Sequence, residues 1–240
     1  MVNYSLNIRR ALILFIKDEN QQNINRFNHS LTYYLFNRQI CKVAAEAKKI
    51  LPFDLILCSD KPGLIKAEYF IKQTGKNFSE RFNNAIAKTI SYGYDELIIL
   101  GNDSPDISAN HIVESFENIS KNVVIGPSGD GGIYLLGLSK ITYEKPIAAR
   151  WNTLHVLEDI LNNFNSISIY QLEILNDVDS ESDLYNWLLL KSMVSGIFKE
   201  FLRNIYLEFN RQLTKINLIE TEQNIYRKHT QKAPPYLISI

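Results

Sequence analysis

The stretch DELIILGNDSPDIS, residues 95–108, decides the fold class. Its first part, residues 95–101, is a nearly continuous apolar run, as expected of a parallel strand that is covered on both faces. The turn that follows places Asp103 and Asp106 just beyond the carboxyl end of this strand, the edge at which open α/β sheets bind their ligands. Ser108 is a favourable N-cap for the next helix. The stretch therefore predicts a strand, an acidic turn and a helix in succession.

The same alternation of strand and helix is repeated along the chain. Apolar runs of strand length are separated by segments in which apolar residues recur with helical period. This alternation predicts an α/β domain with a mostly parallel central sheet and helices on both faces. Strands are predicted at residues 11–17, 54–59, 95–101, 122–126, 132–138 and 166–172, and helices at 30–50, 79–91, 109–120 and from near Trp151.

The pattern changes near residue 191. The segment MVSGIFKEFLRNIYLEFNRQL, residues 193–213, predicts a long amphipathic helix whose apolar stripe must be covered. Two alternatives are open: the stripe packs against the main domain, or it forms a homodimer. We therefore expect a domain over residues 1–190 and a helical extension with an extended tail over residues 191–240.

Composition excludes several classes of function. The 240 residues contain 26 basic and 26 acidic side chains, so the chain has no overall basic field for nucleic acid or an anionic membrane. No apolar run is long enough to span a bilayer. Cys41 and Cys58 lack the spacing of metal ligands and are expected to be reduced thiols in a cytoplasmic protein. The four histidines are scattered, which argues against a zinc site.

A second stretch, GPSGDGGIYLLGL at residues 126–138, places Asp130 among glycines. Glycine weakens a strand interior, so Gly131 and Gly132 indicate a bulge or a close approach to the backbone. One interpretation is a tight turn in which Asp130 accepts backbone N–H groups. The other is a pocket in which a ligand approaches the backbone.

A third acidic segment follows the last predicted strand. It contains Asp177, Asp179 and Asp183. If these carboxylates converge with Asp103 and Asp130, their mutual repulsion requires a cation, protonation or several N–H donors. Mg²⁺ or Mn²⁺ is the simplest compensation, because carboxylate oxygens suit these ions. Taken alone, each acidic segment is typical of a turn or a helix start.

The order of these motifs resembles one family of transferases. GNDSPDIS, VVIGPSGDGGIYLLGL, WNT and DVDSESDL, together with QTGKNFSERFNNA at residues 73–85, resemble the glycosyltransferase-A-like family first noticed beside radical-SAM and selenoprotein-like genes. The resemblance covers residues 9–190. It implies a Rossmann-like glycosyltransferase-A fold, that of the nucleotide-diphospho-sugar transferases and the cofactor-precursor nucleotidyltransferases. The activity it implies is metal-dependent transfer of a glycosyl or nucleotidyl group from a nucleotide-activated donor to an acceptor.

The resemblance also implies roles for individual residues. Asp103 would bind the metal and the donor diphosphate, Asp179 would be the second metal ligand, and Asp130 would line the acceptor pocket beside Gly131 and Gly132. Asp103 and Asp130 are thus the implied catalytic residues. Trp151 and Thr153 would border the acceptor side, although a core aromatic and a helix cap are equally compatible with them. The other substrate-binding residues implied are Lys17, Arg26, Arg81 and Asn102.

The loop after the first predicted strand departs from the family pattern. The family has a basic loop of the form P-G-x-x-K-T-R-L at this place, suited to phosphates. This chain has KDENQQNINRFNH at residues 17–29, in which Lys17 is kept and Arg26 could supply a second cation. Asp18 and Glu19 add negative charge, which disfavours a triphosphate. The alternative function is therefore a non-catalytic binding or scaffold protein on the same fold.

Overall fold

The structure is a computed structural model that describes residues 8–16 and 30–178, together with Asp183 and Trp187. Contacts within the chain divide it into two units, Met1–Trp187 and Leu188–Ile240. Everything described below belongs to the first unit. The predicted boundary at residue 190 and the predicted extension over residues 191–240 lie outside the described residues.

A seven-stranded sheet forms the centre of the described domain. Six strands run in one direction, and only β6 is antiparallel to its neighbours. The mostly parallel sheet predicted from the apolar runs is therefore confirmed. The strands are β1 (Arg10–Phe15), β2 (Asp54–Ser59), β3 (Tyr69–Lys72), β4 (Glu96–Leu100), β5 (Val123–Pro127), β6 (Ile133–Ser139) and β7 (Ile169–Gln171), in the spatial order β3-β2-β1-β4-β6-β5-β7.

Helices cover both faces of the sheet. The described helices are α1 (Ser30–Ile50), α2 (Phe78–Ser91), α3 (Ala109–Asn118) and α4 (Val156–Asn163). α1 and α3 share one hydrophobic core with one face of the sheet, and α2 and α4 share a second core with the other face. Leu12 of β1 belongs to the first core and Ile13 to the second, which explains the continuous apolar runs. Within these described ranges, no helix combines the length and apolarity that a membrane span requires.

The strand order creates a crevice at the edge of the sheet formed by the carboxyl ends of the parallel strands. β2 and β4 flank β1 on opposite sides, so the connections after β1 and β4 diverge at the carboxyl edge. Crevices of this kind are where open α/β sheets bind ligands. The turn after β4, the turn after β5 and the segment after β7 all lie at this edge.

Candidate functional site

The turn after β4 is fixed to the segment that follows β7. The main-chain carbonyl of Asp103 accepts the Val178 N–H at 2.9 Å. Gly101 leaves room for the exposed Asp103 side chain, because a Cβ at Gly101 would lie 2.7 Å from Asp103 Oδ1. The Ser104 hydroxyl donates to Asp177 Oδ1. These contacts bring the first and third acidic segments together.

Asp177 is the half-buried carboxylate at the centre of this arrangement. Burial raises its pKa to about 7, and the negative charges of Asp103 and Asp130 act in the same direction. Hydrogen bonds from Ser104 and Ser128 lower the pKa and only partly offset these effects. The first and second acidic segments therefore both lie within electrostatic reach of Asp177, and this repulsion favours a proton or a cation at this edge.

The turn between β5 and β6 holds Asp130 in place. The Gly132 N–H donates to Asp130 Oδ1 at 2.9 Å, and the Ser128 hydroxyl donates to the same oxygen at 2.5 Å. Ser128 is also within hydrogen-bonding reach of Asp177, but its single hydroxyl hydrogen serves one carboxylate at a time. Asp130 thus accepts a backbone N–H, as the interpretation as a tight turn predicts.

Gly131 allows this turn to contact the segment before α4. Its φ is +87°, and a Cβ would lie 2.2 Å from the main-chain oxygen of Leu154. The Gly131 carbonyl accepts the Leu157 N–H of α4 at 2.9 Å. The close backbone approach predicted at Gly131 therefore exists, and the chain's own Leu154 makes it.

Trp151 and Thr153 lie in the segment that follows β6 and precedes α4. The Trp151 ring packs against Phe78 and Phe82 of α2, with ring centroids 4.8 and 4.7 Å apart. The Thr153 hydroxyl donates to the Arg150 carbonyl at 2.6 Å. A turn occupies the residues before Val156, so α4 begins later than the predicted start near Trp151. The Trp151 contacts match the alternative role of a core aromatic. Thr153 is not the helix cap of the other alternative, because the N-cap of α4 is His155.

Asn102 and Arg81 lie on two other elements. The Asn102 side-chain amide donates to Asn37 Oδ1 of α1 at 2.7 Å, which ties the end of β4 to α1. Arg81 is half-buried near the start of α2. The amino terminus of α2 is capped by its own side chains, because Asn77 Oδ1 accepts the Glu80 N–H at 2.9 Å.

One side chain, that of Gln73, bridges the carboxyl ends of β1 and β2 by hydrogen bonds. Gln73 donates its amide hydrogens to the Ile16 carbonyl at 3.1 Å and the Cys58 carbonyl at 3.0 Å. The first of these hydrogen bonds holds Ile16, the residue directly before the altered loop at residues 17–29. Three of the residues implied by the resemblance lie outside the described residues, namely Lys17, Arg26 and Asp179.

A histidine that the sequence analysis did not single out supports the segment leading to Asp177. The Ser108 N–H donates to His111 Nδ1 at 2.9 Å, so the neutral ring carries its hydrogen on Nε2. Nε2 lies 2.7 Å from Glu173 Oε1, and the Tyr134 hydroxyl donates to the Glu173 carbonyl at 3.1 Å. The sequence signal was a histidine three residues after the predicted N-cap, a capping position that Glu or Gln usually occupies.

The carboxylate oxygens at this edge of the sheet are suitable ligands for a hard divalent cation. Carboxylate oxygens are the ligands of Mg²⁺ and Mn²⁺, and Mg²⁺ usually takes one or two carboxylates together with waters and substrate phosphates. The described part of the chain contains no group of three His, Cys, Asp or Glu side chains arranged to hold a metal ion. A cation at Asp103 would therefore need further ligands, such as Asp179, water or phosphate.

Similar solved structures include proteins named as transferases. A protein from Desulfovibrio desulfuricans G20, provisionally named a nucleotide-diphospho-sugar transferase, is 22% identical with a TM-score of 0.65, over 80% of this chain and 90% of its own. A nucleotidyl transferase from Methanothermobacter thermautotroptrophicus is 13% identical with a TM-score of 0.49, over 82% and 99%. A Mycobacterium tuberculosis H37Rv protein in complex with manganese is 10% identical with a TM-score of 0.45, over 75% and 97%.

The first of these structures confirms the predicted nucleotide-diphospho-sugar transferase fold. No curated protein matches the chain. One family model matches, and it covers the segment from β2 to the turn before α4, which includes Asp103 and Asp130. The resemblance found in the sequence is thereby confirmed: over residues 56–153 the chain matches the family described as "Uncharacterized protein conserved in bacteria (DUF2064)".

Proposed function

We propose that this protein transfers a glycosyl or nucleotidyl group from a nucleotide-activated donor to an acceptor at the carboxyl edge of its sheet. One observation carries the proposal. Asp103, Asp130 and Asp177 come from three separate segments, and both Asp103 and Asp130 lie within electrostatic reach of Asp177, which Ser104 of the Asp103 turn contacts directly. A turn needs at most one carboxylate, whereas a group of three carboxylates costs stability unless a cation, a proton or hydrogen-bond donors offset their charge, and a cation offsets all three at once.

The cation would be Mg²⁺ or Mn²⁺, with Asp103 and Asp179 as its protein ligands. When bound, such an ion would neutralise the negative charge that develops on a leaving diphosphate. The contribution of the chain's own side chains would be positioning and electrostatics rather than a covalent intermediate. Asp130, which Ser128 and Gly132 hold in one orientation, would orient the acceptor and receive its proton.

The remaining residues would divide between the two substrates. Arg81 and the loop at residues 17–29 lie on the donor side in this proposal, with Lys17, Arg26 and Arg81 as the cations for phosphate. Asn102 would hold the turn of Asp103 against α1 through Asn37. On the acceptor side, the proposal places Gly131, Gly132, Trp151 and Thr153.

A reducing cytoplasm is the proposed location. Cys41 and Cys58 are both free, and burial raises the pKa of the Cys58 thiol to about 12. Buried thiols of this kind are typical of proteins that keep their cysteines reduced.

A binding or scaffold role is the second candidate. It is favoured by the internal partners of two residues assigned to the site: Asn102 donates to Asn37, and Leu154 fills the space beside Gly131. In that case the acidic residues would serve as turn and capping groups, and no nucleotide would bind.

Thermal denaturation with ligands separates the two functions. We expect Mn²⁺ together with a suitable nucleotide sugar or ribonucleoside triphosphate to raise the Tm by about 5–10 °C at about a hundred times the Kd. Asp103→Asn should abolish the metal-dependent rise, whereas Asp106→Asn, in the same turn, should keep it. Melting curves that stay unchanged across a full nucleotide panel would support the binding or scaffold role instead.

A further inference from the structure

β3 forms one edge of the sheet and exposes two aromatic side chains. It pairs with β2, and no other described strand pairs with it. Tyr69 and Phe70 are 47% and 38% exposed. The unpaired N–H and C=O groups of an edge strand readily accept another strand, and natural proteins usually protect such edges. An edge that carries adjacent exposed aromatics therefore fits a partner strand.

The backbone of β3 defines how a partner strand would pair. The Glu68 N–H, directly before β3, donates to the carbonyl of Leu55 in β2 at 3.0 Å. Successive backbone groups of a strand point to opposite sides, so the groups of Tyr69 and Ile71 face away from β2. In an antiparallel pair, residues that exchange both hydrogen bonds lie directly opposite each other. Two copies of β3 would satisfy these groups with Tyr69 of each copy opposite Ile71 of the other.

The side chains fit the same register. The two-fold axis would pass beside Phe70, so the two exposed Phe70 rings would cover each other as a cross-strand pair. Glu68, whose exposed carboxylate also contacts Lys48 and the Leu55 N–H of its own copy, would lie opposite Lys72 of the other copy, which places opposite charges at both ends of the pairing. A shift by two residues would keep the backbone bonds but would set Phe70 against a charged residue. Charge and apolar matching thus select one register.

We propose that the protein forms a two-fold symmetric dimer by antiparallel pairing of residues 68–72 from two copies, which joins their sheets into one. The partner is a second copy because the segment is complementary to itself in charge and in backbone pattern. The chain carries 26 acidic and 26 basic side chains, so two copies do not repel each other at long range. This surface differs from the helix predicted over residues 193–213, and the proposal is independent of the proposed activity.

Cross-linking with single cysteines tests the register. In a Cys41→Ser background, Phe70→Cys should form an intermolecular disulfide under mild oxidation, because opposite Cα atoms at such a pair are about 4.5 Å apart, within the range for a disulfide. Tyr69→Cys is the matched control, since it lies opposite Ile71 and on the other face. We expect it to cross-link at least about tenfold more slowly. Equal rates for the two variants, or no cross-link with Phe70→Cys, would overturn the proposal.

Sedimentation of the full chain tests the dimer without cross-linking. Lys72→Glu should weaken the dimer about tenfold, because it sets like charges against each other at both ends of the pairing. Lys76→Glu, an exposed lysine outside the paired segment, should leave the dimer unchanged. A wild-type chain that sediments as a monomer at about 100 μM, far above the Kd of a specific dimer, would contradict the proposal. A dimer that Lys72→Glu does not weaken would contradict it equally.

Discussion

Gly131→Ala is expected to lower the free energy of unfolding by about 3 kcal/mol. Two costs add in this substitution. The φ of +87° is a left-handed conformation that costs alanine about 1 kcal/mol. The new Cβ would also lie 2.2 Å from the Leu154 oxygen, which is a backbone atom and cannot rotate away. Urea denaturation followed by circular dichroism measures the loss.

Gly63→Ala is the matched control for the backbone cost. Gly63 has a φ of +85°, close to that of Gly131, but apart from its own chain neighbours no atom lies within 4 Å of the position that a Cβ would occupy there. We expect a loss of about 1 kcal/mol for Gly63→Ala. The difference between the two variants then isolates the contact with Leu154. Equal losses would mean that the segment around Leu154 moves away at no cost and does not hold the Asp130 turn in place.

The fold was predictable where burial on both faces leaves a continuous apolar signal. The helix predicted at residues 30–50 and the strand predicted at residues 54–59 coincide with α1 and β2. β3 was missed because only Ile71 of its four residues is buried, so neither alternation nor a continuous run marks it. The strand predicted at residues 166–172 is confirmed only as the shorter β7.

The three acidic segments of the site were predictable from the sequence, but the central position of Asp177 was not. The sequence located the turn after β4, the glycine turn and the third acidic segment, because each follows an apolar run. It could not rank Asp177 above Asp179, since the hydroxyl groups that contact Asp177 belong to Ser104 and Ser128, far away in the chain. The contact between Gly131 and Leu154 could not be predicted either, because a glycine indicates a close approach to the backbone but not which atom approaches.

Asp177→Asn is expected to stabilise the protein by about 2 kcal/mol at pH 8 in the absence of divalent cations. Burial and the charges of Asp103 and Asp130 raise the pKa of Asp177 to about 7. An aspartate titrates at about 4 when unfolded, so the difference corresponds to at most about 4 kcal/mol, and partial exposure reduces it. Asparagine stays neutral and can still accept the Ser104 hydroxyl hydrogen.

The pH dependence identifies the cause of that gain. Between about pH 4 and pH 7 the folded wild-type protein holds a proton that the unfolded chain has released, so its stability falls as the pH rises. Asp177→Asn should lack this decline, and the two proteins should become equally stable below about pH 4. Asp103→Asn removes one charge that raises the pKa of Asp177 and should move the decline to lower pH. If Asp177→Asn instead destabilises the protein equally at pH 4 and pH 8, hydrogen bonding rather than charge repulsion governs this edge of the sheet.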